Sequence, residues 1–256
     1  MNETIQRSIQ DGILLLQFNR PEKKNAVNLA MYAALADGIE RAGSDNAVRV
    51  IVLTGAGGCF TSGNDIADFE SGSLAEEPSP AMRFLTALFL AQKPVIAAVS
   101  GPAIGIGTTM LLHCDLVYAG TNAVFQLPFV NLGLCPEAGS SLLLPRLAGY
   151  QRAAELLLLG EPFSAEAARE AGIVNALCPD EQVLETAMAS ARKVAALPPA
   201  AVRLTKSLLK RSMATALRET MTEEAELFKK RLQSPEAAEA FAAFREHRKP
   251  DFSKFL

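Results

Sequence analysis

The chain has 256 residues, 49% hydrophobic and 21% charged, a composition that excludes a disordered, collagen-like or disulfide-scaffold protein and is long enough for a sizeable core. Its 25 basic and 28 acidic side chains leave a formal net charge of −3, so no pervasive basic field exists to hold nucleic acid or an anionic membrane, and any anionic ligand must be gripped locally. Cys59, Cys114, Cys135 and Cys178 form no C-x-x-C pair, and His113 and His247 no H-x-x-x-H pair, which leaves zinc ribbons, thioredoxin-like sites and histidine metal centres unsupported.

Met1 to Gln10 is polar and shows no secretory pattern, no apolar run reaches the roughly 18 residues of a membrane span, and a reducing, cytoplasmic location is expected. Apolar runs at Gly12 to Phe18, Val48 to Leu53, Pro94 to Val99 and Asp115 to Tyr118 read as strands. Three of them are nearly continuously apolar, which implies cover on both faces. Between the first two, Leu29, Tyr32, Leu35, Ala36 and Ile39 recur at helical spacing behind an Asn28 N-cap, giving a helix over Asn28 to Arg41. A strand, helix, strand unit predicts a parallel pair. Ser71 to Pro80 reads as a mobile loop, Ala81 to Gln92 as a second helix and Thr108 to Cys114 as a third. After about Gln151 helix follows helix: Gln151 to Leu159, Ser164 to Ala171 with Ser164 as cap and Gly172 as stop, Asp180 to Ala196, and Pro199 to Lys230. Ile173 to Leu177 is the one strand candidate there.

Two glycine-rich turns follow apolar strands, Thr54 to Asp65 and Ser100 to Gly107. Glycine permits positive φ and close backbone approach, so such turns can aim N–H groups at an anion or a developing oxyanion. Neither ends in G-K-[ST], and no G-x-G-x-x-G follows the first strand, so nucleotide-binding loops are absent. Ser100, Ser140 and Ser141 do not sit in G-x-S-x-G. His113 lies in an apolar helical stretch, where a satisfied core histidine is the commoner outcome, and His247 in a charged one, where it is solvated. Glu137 lies in the apolar loop Asn131 to Ser141. Desolvation there would raise its pKa, which suits a base that must return its proton.

In order and spacing the chain resembles the crotonase, or enoyl-CoA hydratase/isomerase, superfamily over essentially its whole length. The carrying strings are Asn19-Arg20-Pro21-Glu22-Lys23-Lys24-Asn25-Ala26-Val27-Asn28, Phe60 to Ile66, Lys93 to Gly105, Cys114-Asp115-Leu116, Gln126-Leu127-Pro128, Leu132 to Pro136 and Pro162 to Ala165. The resemblance implies an α/β fold, a crotonase-like spiral of ββα units over residues 1–195 with a C-terminal helical trimerisation segment over 196–256. It implies an acyl-CoA thioester substrate, no separate cofactor or metal, and a homotrimer or dimer of trimers. It places the oxyanion-stabilising N–H groups at Asn64 and Ile106, worth on the order of 3 kcal/mol per donor. CoA contacts are expected from Lys23, Lys24, Ala26, Thr61, Ser62, Gly63, Asp65 and Ile66, with Arg248 or Lys249 as further phosphate candidates. Leu134 would line the same path, and the acyl pocket would run from about Phe69 to Leu90.

Hydratases of that superfamily carry two glutamates, at positions that here hold Thr109 and Phe129. Their absence disfavours addition of water across a double bond. Double-bond migration asks for a single base, and Glu137, followed by its two serines, resembles the base of the peroxisomal type of Δ3,Δ2-enoyl-CoA isomerase. The expectation is therefore an acyl-CoA double-bond isomerase working through a dienolate, with Thr109, Phe129 and Leu134 at the substrate pocket. Isomerases of ring-substituted acyl-CoAs, hydratases and a non-catalytic acyl-CoA-binding relative are the alternatives.

Overall fold

The computed structural model describes residues 4–70 and 79–255. It opens with β1 (Ile5–Gln10) and β2 (Ile13–Phe18), an antiparallel hairpin. Asp11 and Gly12 join them with φ of 53° and 76°, the positive pair that a two-residue hairpin turn requires. The hydrophobic pattern missed β1 because five of its six residues are exposed. Asn28 caps α1 (Leu29–Ser44) as expected, its side chain accepting from Met31 N at 3.0 Å. The helix buries Met31, Tyr32, Leu35 and Ile39. β3 (Val50–Gly55) then pairs parallel with β2.

α2 (Ile66–Glu70) precedes the expected mobile loop, which through Pro78 lies outside the described residues, as does part of the expected acyl-pocket segment. Ser79 caps α3 (Pro80–Leu90). β4 (Val95–Val99) leads to β5 (Pro102–Ile104) and the single turn α4 (Ile106–Thr109), which tightens into a 3-10 turn over Met110–His113. The predicted helix at Thr108 thus starts two residues earlier. β6 (Leu116–Gly120) and β7 (Val124–Gln126) repeat the strand pair. The Leu142 to Leu144 run belongs to α5 (Ser140–Ala148), followed by α6 (Tyr150–Leu159), β8 (Phe163–Ser164), α7 (Ala165–Glu170), capped by Ser164, and β9 (Ala176–Cys178).

The larger sheet runs β1-β2-β3-β4-β6-β9 and the smaller β5-β7-β8. From β4 to β7 the chain sends strands alternately to the large and the small sheet, within the α/β spiral that was expected. β3 and β4 are buried almost throughout because both sheet faces are covered. One face packs Leu14, Leu16, Ile51, Leu53 and Ala97 into the main core with α1 and α3. The other packs Ile13, Val50, Val52 and Ile96 against Val183, Ala187 and Ala191 of α8 (Val183–Ala195).

The helix predicted over Pro199 to Lys230 is two: α9 (Pro199–Arg211) and α10 (Ala214–Leu232). Tertiary contacts break it. Lys206 of α9 donates to Lys93 O at 2.8 Å and to Asp115 at 2.6 Å, and Lys210 to His113 O at 3.1 Å, while α10 turns to drop Leu217 and Met221 into the core. α11 (Pro235–Arg245), capped by Ser234, was not anticipated. The four cysteines are free. Among the described residues no helix is long and apolar enough to cross a membrane, and no three His, Cys, Asp or Glu side chains gather as a metal site.

Candidate active site

The two glycine-rich turns fold against each other. Gly63 has φ of 95°, and a Cβ there would lie 2.9 Å from Ile104 O; a Cβ on Gly107 would lie 2.6 Å from Thr61 Cγ2. Only glycine fits such an approach. Thr61 N donates to Pro102 O and Ile104 N to Thr61 O, both at 3.0 Å, which ties the turns together.

Among the described residues this pairing leaves two N–H groups without an acceptor. Asn64 forms a parallel bridge with Val27 through its neighbours, Val27 N donating to Gly63 O at 2.8 Å and Asp65 N to Val27 O at 2.9 Å. In that pattern the N–H of Asn64 itself points away from Val27. Ile106 is the first residue of α4, where the helix supplies no acceptor for its N–H. Asn64 and Ile106 both line one cleft of about 720 Å³ including its mouth.

Glu137 stands in the same cleft and is the only carboxylate among its described lining residues. Thr109 Oγ1, buried at the end of α4, donates to Glu137 Oε1. Crowding by protein atoms pushes the Glu137 pKa up to about 8; the charge of Glu224 adds to the rise and the Thr109 hydrogen bond works against it. Tyr32 of α1 also faces the cleft and donates its hydroxyl to Asn64 Oδ1. Burial holds this phenol well above its usual pKa, so it remains neutral. Met82 and Leu85 of α3 form one apolar wall, and Met221, Ala225, Phe228 and Leu232 of α10 form the other.

The remaining anticipated residues are distributed less evenly. Thr109, Phe129 and Leu134 are all buried behind the cleft rather than lining it, Thr109 reaching it only through Glu137; Phe129 meets Phe228 edge-on, with ring centroids 6.4 Å apart, and Leu134 N donates to Phe129 O at 2.8 Å. Lys23, Lys24, Ala26 and the stretch Thr61 to Ile66 do come together, with Ser62 N donating to Lys24 O at 3.0 Å. Within that group the Thr61 hydroxyl donates to Asn25 O at 2.7 Å, and Asp65 pairs with Arg20 at 2.5 Å. Burial pushes the Asp65 carboxyl up, but the hydrogen bonds from Arg20 and Ala67 N and the charges of Arg20 and Lys23 together outweigh it, and the pKa ends lowered. Lys23 and Lys24 are exposed, and Arg248 is engaged by Glu239 and Glu246, each at 2.6 Å. His113 is buried, with Nε2 2.7 Å from Ala138 O. Since that partner is a carbonyl, Nε2 carries the proton.

A family model for enoyl-CoA hydratase/isomerase matches residues 8–254. The chain belongs to the enoyl-CoA hydratase/isomerase family. Among relatives, it is 37% identical to the 2,3-dehydroadipyl-CoA hydratase of Escherichia coli, covering 96% of each chain. It is 35% identical to enoyl-CoA delta isomerase 2 of Rattus norvegicus over 92% of this chain, and spans 61% of that longer protein. The solved structure of Pseudomonas aeruginosa OdaA superposes with a TM-score of 0.93 at 50% identity, covering 95% of this chain and 99% of that one. As a member of the enoyl-CoA hydratase/isomerase family, the protein is an enzyme acting on acyl-CoA, and its α/β spiral is the fold of its solved neighbours.

Sequence reading did not anticipate the roles of Tyr32, Glu224 or the α10 wall. The wall had a signal, since Met221, Ala225, Phe228 and Leu232 recur at helical spacing. What that stripe faces is set by the break between α9 and α10, which no Pro or Gly marks.

Proposed function

We propose that the protein moves a double bond in acyl-CoA thioesters, converting 3-enoyl-CoA to 2-enoyl-CoA with Glu137 as proton shuttle. The observation that carries this reading is the solitary carboxylate: Glu137 alone among the described residues presents one to the cleft, beside two unpaired backbone N–H groups. Hydration needs water positioned and activated while carbon is protonated, work usually divided between two carboxylates. Here Thr109 supplies a hydroxyl, and the apolar walls disfavour a bound water.

The thioester carbonyl oxygen lies between the Asn64 and Ile106 N–H groups, which become stronger donors as negative charge develops on it. Ionised Glu137 takes a proton from C2. The electron pair of that C–H bond forms the C1–C2 double bond of a dienolate, and the carbonyl π pair moves to oxygen. Collapse of the dienolate restores the carbonyl and places the double bond between C2 and C3, while C4 takes the proton back from Glu137. The carboxyl ends as it began, so no external acid or co-reactant is consumed. A pKa near 8 matches a group that must both accept and release a proton near neutrality. In this reading Lys23 and Lys24 meet the CoA phosphates, CoA is part of the substrate rather than a cofactor, and the molecule works as a trimer or dimer of trimers.

The test is to supply cis- and trans-3-enoyl-CoA of several chain lengths and follow formation of the conjugated 2-enoyl thioester. Turnover is expected, and Glu137→Gln should reduce kcat by about 10²–10⁴ while CoA still binds. Undiminished activity in that variant, or hydration of 2-enoyl-CoA at comparable rates, overturns the assignment.

A further inference from the structure

Glu224 is a buried carboxylate that the reaction as written leaves without a role. It projects from α10 onto the turn that follows Glu137. Its Oε2 accepts from Gly139 N at 2.5 Å, and its Oε1 from Ser141 N at 3.0 Å and Ser141 Oγ at 2.5 Å. Burial raises its pKa, and the three donors that converge on it at the start of α5 work the other way, favouring the charged form.

The turn it grips is strained. Ala138 has φ of 59° and Gly139 of 73°, and a non-glycine residue in the left-handed region is strained and persists only where its surroundings over-determine it. The surroundings here can be named. Thr109 holds the Glu137 carboxyl, His113 holds Ala138 O, and Glu224 holds Gly139 N and the following turn of helix. α10 also closes on the turn sterically, since a Cβ on Gly139 would fall 2.2 Å from Leu217 Cδ1.

We propose that Glu224 is a positioning residue for the base: it locks the left-handed turn that aims the Glu137 carboxyl into the cleft, and its negative charge acts on the base from behind. This rests on reading Glu137 as the base. Glu224 does not line the cleft, so it touches no substrate atom.

The other titratable groups around the turn are accounted for. Burial keeps Tyr32 of α1 neutral, holds the Cys135 thiol up with help from the Glu224 charge, and pushes His113 down to about 4. Arg231 of α10 is occupied by Gly133 O and Glu236, while Glu223 and Lys229 of the same helix are exposed. Glu224 is therefore the buried charge whose removal the base would register. A like charge nearby raises the pKa of a carboxyl, so its loss lowers it.

Glu224→Gln keeps the chain length but leaves one acceptor oxygen and no charge. We expect kcat on 3-enoyl-CoA to fall by on the order of tenfold to a hundredfold with KM nearly unchanged. The acid limb of kcat/KM should move to lower pH by roughly one unit. Wild-type kcat overturns the proposal, and so does a reduced kcat with an unmoved acid limb, because packing alone would give that result. Should Glu224→Gln fail to fold, Ser141→Ala removes one donor and leaves the carboxylate in place; a severalfold loss of kcat supports the proposal and an unchanged kcat overturns it. Glu137→Gln separates the two ideas. If it remains active, the base assignment fails; if it is dead while Glu224→Gln is normal, only the present inference fails.

Discussion

Thr109 hands its hydroxyl hydrogen to the Glu137 carboxylate, so the position that a hydratase-like pattern fills with an acid here holds a donor that orients the proposed base. Because this bond favours the charged carboxylate, it works against burial in setting the Glu137 pKa. Thr109→Val keeps the buried shape and deletes the donor. The acid limb of kcat/KM should then move to higher pH, opposite to the shift expected for Glu224→Gln, and kcat at pH 7 should fall by roughly tenfold. Thr109→Ser should restore the wild-type profile. A Val variant with an unmoved profile would show that the hydroxyl has no influence on the base.

Replacing Glu137 should make the protein more stable at neutral and alkaline pH. The Glu137 pKa is raised from 4.5 in the unfolded chain to about 8, so the folded state favours the protonated form. Its contribution is fully present below pH 4.5 and is lost as pH rises through 8. At about 1.4 kcal/mol per pKa unit this amounts to a few kcal/mol. Thermal unfolding of Glu137→Gln and wild type should give similar Tm values at pH 4.5 and a higher Tm for the variant at pH 9. A gap that does not grow with pH would contradict the buried, strained-to-ionise state of this carboxyl.

His113 carries the opposite sign. Burial pushes its pKa from 6.5 down to about 4, so the unfolded chain binds the extra proton first. The stability it contributes is present above pH 6.5 and is lost as pH falls toward 4. His113→Gln can offer an N–H to Ala138 O without titrating. It should be less stable than wild type at pH 7.5, with the difference shrinking or closing by pH 4.5 in urea unfolding. A constant difference would mean that the ring is not buried in its neutral form.

The contact between Gly107 and Thr61 makes the donor arrangement testable by compensation. Gly107→Ala sets a methyl group 2.6 Å from Thr61 Cγ2, a buried atom with no room to retreat. Displacing Ile106 N–H by this route should cost about 10²–10³ in kcat. Thr61→Ser deletes that methyl while keeping the hydroxyl that donates to Asn25 O, so the double variant should recover much of the loss. Failure of the double variant to exceed Gly107→Ala would show that the two turns are not coupled through this contact.

The elements that the sequence revealed most clearly are those whose two faces meet the same environment. β3 and β4 are apolar on both sides because α1, α3 and α8 cover the sheet twice, and α1 declares itself through Asn28 and its stripe. β1 was hidden because only Ile5 is buried, although Asp11-Gly12 was a legible hairpin turn. At the site, the two glycine-rich turns and the apolar loop that carries Glu137 could be read from the sequence, since glycine spacing and apolar composition are local properties, whereas Asn64 and Ile106 are singled out within those turns only by the family resemblance. Glu224 could not be read from the sequence. It lies 85 residues from Gly139 in the chain, and an acidic residue on a charged helix looks like a solvated one until tertiary packing turns it inward. Phe129 and Leu134 mark the reverse error of distance, adjacent to the site in sequence but one layer behind the cleft wall.

The apolar wall supplied by α10 also sets an order of assembly. Asn64, Ile106, Thr109 and Glu137 all precede residue 140, whereas Met221, Phe228 and Leu232 belong to a helix that begins at Ala214. During synthesis these four residues therefore leave the ribosome well before the wall of the cleft. A chain that ends before residue 214 carries these four residues without the α10 wall and without the Glu224 contacts to the turn after Glu137.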